Sequence, residues 1–525
     1  MIIHLSSLFL ALLLAGNINA LIDVLTNRYN QFSQGANTQE RELTAAITTK
    51  TFGKLYSYYV DGALYAQPLL VHNVATEKYG PRNVVFVATM NDKVYAFDAA
   101  QNVPPLWVRD LTDESAGVTP VPVSDITGSN DLNIVGNAGI EGTPVIDLAG
   151  QSLFLVARTK ENGRYIQRLH KLDIRSGQDQ TPPTLIEAHV PGSANDARAG
   201  FVHFDPKIGN QRPALALANG SVIIAWASHE DLRPYHGWIM AYDAQSLKQI
   251  AALCMTPDSA DGGIWQSGRG PAIDESGALY YEVGNGGWDG KRNFGNSVIK
   301  VRVDSTHLWV DDDYTPHDYM HQNSTDADLG SSGPMLFPED GILVCGNKQG
   351  ALFLLNSSHL GGLTKTDAGI LQQVDLKSGR VLAGPSYWKG PRGARLFVWN
   401  EAGFLEELRY GDKRLNPLVI LKGRVASHGS PGGAVTVSSN GAKPGTGIVW
   451  ATVGVGSADH GNTQGVLYAF NAETLQLLWK SETNAARDRL GTLVKFVPPL
   501  VADGKVYVPN YDNAVNVYGL LPNTQ

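Results

Sequence analysis

The sequence predicts an all-β fold, an eight-bladed β-propeller, on the strength of two observations. Short apolar strands separated by turns recur along nearly the whole chain, and 56 of the 525 residues are glycine, which is typical of many turns rather than long helices. These strands also fall into repeated groups of similar plan. Because a propeller is one closed domain however long it grows, the repeats favour a single domain spanning residues 21–525.

Residues 445–481 show the plan of one blade most fully. Residues 448–452 and 466–470 have the apolar pattern of half-buried strands, and residues 475–479 supply a third strand after a polar turn. The side chain of Asn471 is placed to fix that turn. Trp479 ends the unit and is expected to pack flat between neighbouring blades.

Eight such units can be counted in chain order. They begin near residues 67, 139, 212, 265, 328, 383, 428 and 498. The last unit has only three strands before the chain ends, which would leave an open sheet edge beside the first blade. Phe52–Tyr59 precedes the first complete unit and has a strand pattern, so we predict that it closes the ring by pairing with the C-terminal blade. The irregular polar residues 21–46 are expected to lie across the outside of the propeller.

The N-terminus and the charge indicate where the protein acts. Residues 2–14 form an apolar run that is too short to span a bilayer, and small and polar residues follow it up to Ala20. This pattern predicts a signal peptide at residues 1–20 and a secreted, extracellular protein. No other run approaches transmembrane length, so no membrane partner is expected. A net charge of −8 without any basic run argues against nucleic acid as a partner.

Cysteines and sequons complete the description of the secreted chain. Cys254 and Cys345 fall in non-adjacent units, which predicts two buried thiols rather than a disulfide. Sequons at Asn219, Asn323 and Asn356 are compatible with a glycoprotein if the source is a eukaryote. We expect the mature protein to be a monomer.

The longest loops predict one functional face. In a four-stranded blade, the loop entering the first strand and the loop between the second and third strands emerge on the same side of the ring. Three of the latter loops, at residues 228–237, 285–295 and 456–462, are long and carry titratable and aromatic residues, whereas most others, such as 348–349 and 401–402, are short. The structural alternative is that these His and Asp side chains only satisfy backbone groups of long loops.

The repeat also resembles a known superfamily. Ala469, Asn471, Thr474 and Trp479 closely match the tryptophan-docking pattern A-x-D-x-x-T-G-K-x-x-W of quinoprotein-type β-propellers, with Asn for Asp and Leu-Gln for Gly-Lys. Residues 59–69, 234–238, 263–268, 326–330, 444–452 and 495–499 are similar to a secreted, largely uncharacterised family of pyrroloquinoline-quinone-like propeller proteins of fungi and bacteria. The resemblance covers nearly the whole mature chain. It implies an oxidoreductase that oxidises a small alcohol or sugar with bound pyrroloquinoline quinone and Ca²⁺.

Such chemistry needs oxygen ligands for Ca²⁺, a cation for the charge of the reduced quinone, a carboxylate base and a flat stacking residue. Residues of suitable type stand at strand starts and in loops of the predicted face. The candidates are Glu141, Asn285 and Asp328 as metal ligands, Trp265, Trp288, Arg269 and Lys495 for the cofactor, and Asp231, Asp289, His229, His236 and His428 for catalysis.

Two departures from the superfamily leave alternatives open. The chain lacks the adjacent cysteine pair of the superfamily's alcohol dehydrogenases and any C-x-x-C-H haem attachment, so electrons would leave to an external acceptor. Ala383 stands where the nearer family often has a His. The first alternative is a non-catalytic propeller that binds a glycan or a protein. The second is a cofactor-free enzyme that uses His and Asp for acid–base chemistry. P-loop, G-x-S-x-G and H-E-x-x-H motifs are absent.

Overall fold

Eight separate sheets of at least four strands follow one another along the chain and form an eight-bladed β-propeller, as predicted. We describe it from a computed structural model that covers residues 22–128, 133–459 and 461–522. The predicted signal peptide, residues 1–20, lies outside the described residues. None of the helices in the described residues has the length and apolar character needed to cross a membrane.

The strands of each blade are given from the innermost outward. Blade 1 comprises Leu69–Thr76, Gly80–Ala88, Lys93–Asp98 and Trp107–Asp110, and blade 2 comprises Val145–Asp147, Ser152–Glu161, Arg164–Asp173 and Thr184–Leu185. Blade 3 comprises Ala216–Ala218, Ser221–Ser228, Trp238–Asp243 and Gln249–Cys254, and blade 4 comprises Ala272–Ile273, Leu279–Glu282, Val298–Val303 and Leu308–Thr315. Blade 5 comprises Met335–Phe337, Ile342–Gly346, Ala351–Asn356 and Ile370–Asp375, and blade 6 comprises Ser386–Gly390, Gly393–Trp399, Phe404–Gly411 and Arg414–Ala426. Blade 7 comprises Gly433–Ser438, Ile448–Gly454, Gln464–Asn471 and Leu477–Lys480, and blade 8 comprises Leu500–Ala502, Lys505–Asn510, Ala514–Leu520 and Phe52–Tyr59.

Small elements decorate the blades. Short strands at Ala36–Asn37, Val118–Pro120, Gly209–Asn210, Gly362–Leu363 and Gly491–Thr492 extend existing sheets, and His189–Pro191 pairs with Phe201–His203 in a separate hairpin. The α-helices are Val123–Thr127, Tyr319–Thr325 and Ala485–Asp488. All three α-helices found in the described residues are short, so strand packing between blades provides the core.

Side-chain oxygens fix the turn between the third and fourth strands in six blades. In each of them an Asp or Asn accepts a hydrogen bond from a backbone N–H two or three residues later. These residues are Asp98, Asp173, Asp243, Asp304, Asn356 and Asn471. Blade 6 instead turns through Asp412 and Lys413, which both have positive φ angles of 51° and 59°, as a tight two-residue hairpin requires.

The ring closes as the sequence predicts. Phe52–Tyr59 pairs antiparallel with Ala514–Leu520, and Phe52 lies opposite Leu520 at one end of the register while Tyr59 lies opposite Ala514 at the other. The N-terminal strand is therefore the fourth strand of blade 8 and covers the edge that the C-terminal blade would otherwise expose.

Residues 22–39, which we call the axial segment, do not lie on the outside of the propeller, and the prediction for this region was wrong. The segment runs along the innermost strands and bonds those of seven blades. Its contacts are Val24 with Leu70, Leu25 with Ile146, Gln31 with Ile273, Phe32 with Leu336, Gln34 with Tyr387, Ala36 with Val437, and Asn37 with Val501. The physical reason is that innermost strands have free backbone groups at their inner edge, and an irregular strand can satisfy them.

Candidate functional site

A cavity of about 310 Å³ opens where the loops before the innermost strands meet the loops between second and third strands. We call it the central cavity. It gathers seven of the predicted site residues, namely Glu141, His229, Asp231, Trp265, Asn285, Asp328 and Lys495. Their convergence agrees with the expected direction of the two loop types, and the chemical roles assigned to them stay predictions.

One side of the central cavity is an acidic cluster around a single ammonium group. Lys348 Nζ lies 2.7 Å from Asp326 Oδ1 and 2.9 Å from Asp328 Oδ1. Asn285 Nδ2 donates to the same Asp326 oxygen at 2.9 Å. Asp231 completes the cluster and accepts a hydrogen bond from the Tyr235 hydroxyl at 3.0 Å. We define the acidic cluster as Asp231, Asn285, Asp326, Asp328 and Lys348.

The acidic cluster perturbs the titration of its own members. Burial would lower the pKa of Lys348, but the carboxylates of Asp328 and Asp326 outweigh burial and raise it, so the ammonium stays charged. The surrounding protein raises the pKa of Asp231, and the Tyr235 hydrogen bond and Lys348 only partly oppose that shift. Asp231 is nevertheless exposed to solvent, so water screens this upward shift, and the side chain is accessible to a ligand.

The other side of the cavity is a basic cluster, which we define as Arg158, Arg212, Lys495, Glu141 and His229. Arg212 Nη1 donates to Glu141 Oε1 at 2.8 Å, and the second Glu141 oxygen lies 4.0 Å from His229 Nε2. Arg158 Nη1 donates to His229 Nε2 at 2.5 Å, behind the cavity wall. Lys495 Nζ contacts neutral oxygens, the carbonyl of Asp459 at 3.3 Å and the side chain of Asn133.

His229 is held as a neutral imidazole. Burial lowers its pKa well below the usual histidine value, and the guanidinium groups of Arg158 and Arg212 lower it further. Because Arg158 can only donate, His229 Nε2 must accept and the proton must be on Nδ1. His229 is therefore suited to orient neighbouring groups rather than to change charge near neutral pH.

Aromatic rings connect the two clusters. The ring centroids of Trp265 and Phe496 are 5.8 Å apart in an edge-to-face arrangement. Lys348 Nζ lies 5.6 Å from the Trp265 centroid, and the Arg212 guanidinium lies 5.4 Å from Phe496 and 4.8 Å from Tyr65. These distances fit cation–π contacts. The cavity therefore offers flat apolar surface between a group of carboxylates and a group of cations.

Two predicted residues are buried outside the central cavity. Arg269 is buried, donates to the backbone carbonyls of Gly333, Pro385 and Ser33, and does not line the central cavity. Burial lowers the pKa of Arg269 to about 10, although Glu282 opposes the shift. The buried His236 ring contacts Thr256 Oγ1 and Asp196 Oδ1, both at 3.0 Å. Both side chains contact structural partners outside the central cavity, and the functional roles predicted for them stay predictions.

Three further predicted residues lie away from the central cavity. Asp289 accepts hydrogen bonds from three backbone N–H groups of its own loop, residues 291–293, and these hold its pKa at about 2 despite some burial. Trp288 Nε1 donates to Asp313 Oδ2 at 3.1 Å. His428 is exposed and does not line the cavity, although Ser430 in the same loop does. The sequence identified the correct loops but not the direction of these side chains.

The central cavity also contains residues that the sequence did not predict, among them one from a short turn, one from the loop before the innermost strand of blade 6, and two neighbours of predicted residues. Lys348 lies in a short turn of blade 5. Arg380 Nε donates to Glu401 Oε2 at 2.7 Å, and Glu401 comes from the short turn of blade 6. Asp326 and Phe496 stand within two residues of the predicted Asp328 and Lys495. Loop length was therefore an incomplete criterion, because the long side chain of Lys348 reaches the cavity from a short turn.

The residues of the cavity do not fit a Ca²⁺ ion in their present arrangement. In the part of the chain that the structure describes, no three His, Cys, Asp or Glu side chains converge as metal ligands. The predicted ligand Glu141 is paired with Arg212, and Asp328 is paired with Lys348. Ca²⁺ prefers six to eight oxygen ligands, which these occupied carboxylates do not offer.

Comparison with known proteins bears on the fold. No family model and no curated protein sequence matches the chain. Similar solved structures include the quinohemoprotein alcohol dehydrogenase ADHIIG from Pseudomonas putida HK5, with a TM-score of 0.56, 14% identity and coverage of 96% of this chain and 81% of that one. The quinohemoprotein alcohol dehydrogenase from Comamonas testosteroni gives a TM-score of 0.55 with the same identity and coverage. The chain therefore has the eight-bladed propeller fold seen in quinohemoprotein alcohol dehydrogenases.

Proposed function

We propose that the protein is a secreted, monomeric oxidoreductase that oxidises a small alcohol or sugar in the central cavity with a bound quinone. The observation that carries this proposal is the row formed by the acidic cluster, Trp265, Phe496 and the basic cluster in one cavity. The apolar run at residues 2–14 supports secretion, and the propeller fold is one that quinohemoprotein alcohol dehydrogenases share.

The side chains of the cavity suit a planar acidic quinone such as pyrroloquinoline quinone. Arg212 and Lys495 are cations that can hold the carboxylates of such a molecule, and Trp265 and Phe496 offer aromatic surface for its ring. When bound, a quinone supplies the acceptor for the two electrons that leave an alcohol. The chain itself must bind the substrate, position its hydroxyl and accept a proton.

Asp231 is the residue best placed to accept that proton. It lines the cavity beside Tyr235, and its raised pKa makes it a stronger base than an ordinary aspartate. Because Asp231 must be ionised to accept a proton, the rate of substrate oxidation should rise with pH. The midpoint of that rise should be the pKa of Asp231, which lies above the usual aspartate value. Lys348 can stabilise negative charge that develops on a nearby oxygen.

Titration with pyrroloquinoline quinone, followed by calorimetry and tryptophan fluorescence, tests the proposal. We expect saturable binding with quenching, since Trp265 lies in the cavity. The variant Trp265→Phe should lose most of the quenching, whereas Trp309→Phe, at an exposed tryptophan outside the cavity, should keep it. A loaded protein should then reduce an artificial electron acceptor when an alcohol or sugar is added.

The proposal fails if the wild-type protein does not bind the quinone with or without Ca²⁺. It also fails if the loaded protein reduces the acceptor equally well without substrate. Asp231→Asn should lower the rate of acceptor reduction while quinone binding stays, because the change removes the proton acceptor and not the stacking surface.

A glycan-binding role is the second candidate, and one observation favours it. A second cavity of about 370 Å³ shares Asp231, Tyr235, Asn285 and Asp326 with the central cavity and continues outward past Ser259 and Asn323. A row of carboxylates, amides and hydroxyls suits an extended polyhydroxylated ligand. Calorimetry with oligosaccharides in the absence of quinone would support this role if binding is saturable and is lost in Asn285→Ala.

A further inference from the structure

Lys348 has an unusual position within the acidic cluster. Its ammonium lies between Asp326 Oδ1 at 2.7 Å and Asp328 Oδ1 at 2.9 Å. Asp328 is only 2% exposed, so its negative charge must be compensated within the protein. Asn285 adds a further oxygen, because its buried Oδ1 has no hydrogen-bond partner among the described residues.

Without Lys348, this cluster would present the oxygen-rich environment that hard divalent cations prefer. Carboxylate and amide oxygens are their usual ligands, and Asp326, Asp328 and Asn285 supply both types at one side of the cavity. Asp231 lines the same cavity and adds a further carboxylate to it. The ammonium therefore takes the place that a metal ion would need.

The turn that carries Lys348 holds the ammonium in this place. The backbone N–H of Lys348 donates to the Asp328 carbonyl at 3.1 Å. Asn347 Oδ1 accepts from the N–H groups of Gln349 and Ala351 at 3.1 and 3.0 Å, which fixes the turn on both sides of Lys348. The lysine side chain is only 13% exposed, so its charge is held in position rather than left free in solvent.

We propose that Lys348 is a resident cation that replaces a metal ion in the central cavity. Ligands then bind without any divalent metal, and the ammonium is the positive charge that this side of the cavity presents to a ligand oxygen. This inference concerns the acidic cluster alone and does not depend on the proposed quinone.

Terbium luminescence provides a direct test, because Tb³⁺ binds Ca²⁺-type oxygen sites and a nearby tryptophan sensitises its emission. The Trp265 ring centroid lies 5.6 Å from Lys348 Nζ, so an ion in the position of the ammonium would be sensitised strongly. We expect the wild-type protein to give only background emission. Lys348→Met should bind Tb³⁺ with an affinity about tenfold higher or more, because it removes the competing charge and leaves the oxygens. Adding Asp328→Asn to that variant should abolish the gain.

Two control variants distinguish Tb³⁺ binding at the acidic cluster from a general increase in Tb³⁺ binding after loss of any lysine. Lys93 also bridges two carboxylates, Asp61 at 2.6 Å and Asp110 at 3.3 Å, but these are 54% and 46% exposed. Lys93→Met should therefore gain little Tb³⁺ binding, because water already solvates its partners. Lys348→Arg keeps the positive charge, so its Tb³⁺ emission should remain at background.

Thermal unfolding gives an independent readout. Added Ca²⁺ should raise the unfolding temperature of Lys348→Met, and a chelator should reverse the rise, whereas the wild-type protein should respond to neither. If Lys348→Met does not fold, Lys348→Gln serves for the same measurements, since it also removes the charge.

The inference is wrong if the wild-type protein binds Tb³⁺ as tightly as the folded Met or Gln variant does. It is equally wrong if neither variant gains binding. A quinone that binds the wild-type protein only with Ca²⁺ would contradict the resident cation but not the proposed oxidoreductase. Failure of the quinone to bind would contradict the oxidoreductase and leave the terbium result intact.

Discussion

At the scale of single residues, Trp479 shows how one side chain joins two blades. It ends blade 7, is 2% exposed, and packs against Phe52 with ring centroids 5.0 Å apart and against Tyr518 at 5.7 Å, both from blade 8. Its Nε1 has no hydrogen-bond partner in the part of the chain that the structure describes. The contribution of Trp479 to stability is therefore apolar packing between blades.

We expect Trp479→Ala to lower the free energy of unfolding by about 3–5 kcal/mol, the range for truncating a buried aromatic side chain. Trp479→Phe should cost much less, because it keeps a ring and removes an N–H that is already unpaired. Denaturant unfolding measures both changes, and Trp309→Ala at an exposed tryptophan is the control. A loss below about 1 kcal/mol for Trp479→Ala would mean that inter-blade packing does not depend on this ring.

The sequence predicts which loops reach the cavity more reliably than it predicts which way a side chain points. Glu141 and Trp265 reach it because each precedes an innermost strand, and that position fixes the face of the ring. Arg269 satisfies the same rule but turns inward to backbone carbonyls, which depends on contacts far away in the chain. Lys348 was missed because its turn is short, although its side chain is long.

At the scale of elements, the strand Phe52–Tyr59 determines whether blade 8 is complete. Without it, the backbone groups of Ala514–Leu520 would face solvent along one edge, and such an edge invites pairing with another chain. The open edge was predictable because the last unit of the sequence contains only three strands.

Deletion of residues 52–59 should cause aggregation or loss of cooperative unfolding. Light scattering and thermal unfolding measure the two effects. A synthetic peptide of sequence FGKLYSYY, added in excess, should restore cooperative unfolding, whereas a scrambled peptide of equal composition should not. If the deleted protein unfolds like the parent without any peptide, this strand does not hold the ring closed.

The axial segment was not predictable in the same way. Its polar, irregular composition is shared by surface loops, and composition contains no information on which backbone groups elsewhere lack partners. The innermost strands of seven blades provide such groups, and the segment satisfies them one blade after another. Arg28 adds side-chain bonds, donating to the Val435 carbonyl at 2.7 Å and to Ser386 Oγ at 2.6 Å.

At the scale of the whole molecule, the ring is held in two distinct ways. The N-terminal strand closes blade 8 at the outside, and the axial segment connects innermost strands at the centre. Phe32 of the axial segment packs against the core cluster that contains Cys345, which is fully buried. Burial raises the pKa of the Cys345 thiol well above its usual value, so the residue should be inert in the intact protein.

Removal of residues 22–39 should therefore make Cys345 reactive, because the backbone edges and apolar surface that the axial segment covers would meet water. The measurement is the rate of labelling by a thiol reagent in the Cys254→Ser background, where Cys345 is the single cysteine of the chain. Cys254 is also buried but lies in the outermost strand of blade 3, so its labelling in the Cys345→Ser background should change little and provides the matched control. Equal acceleration at both thiols would indicate general unfolding instead of opening at the centre. An unreactive Cys345 in a shortened protein that still unfolds cooperatively would show that the blades maintain the ring without the axial segment.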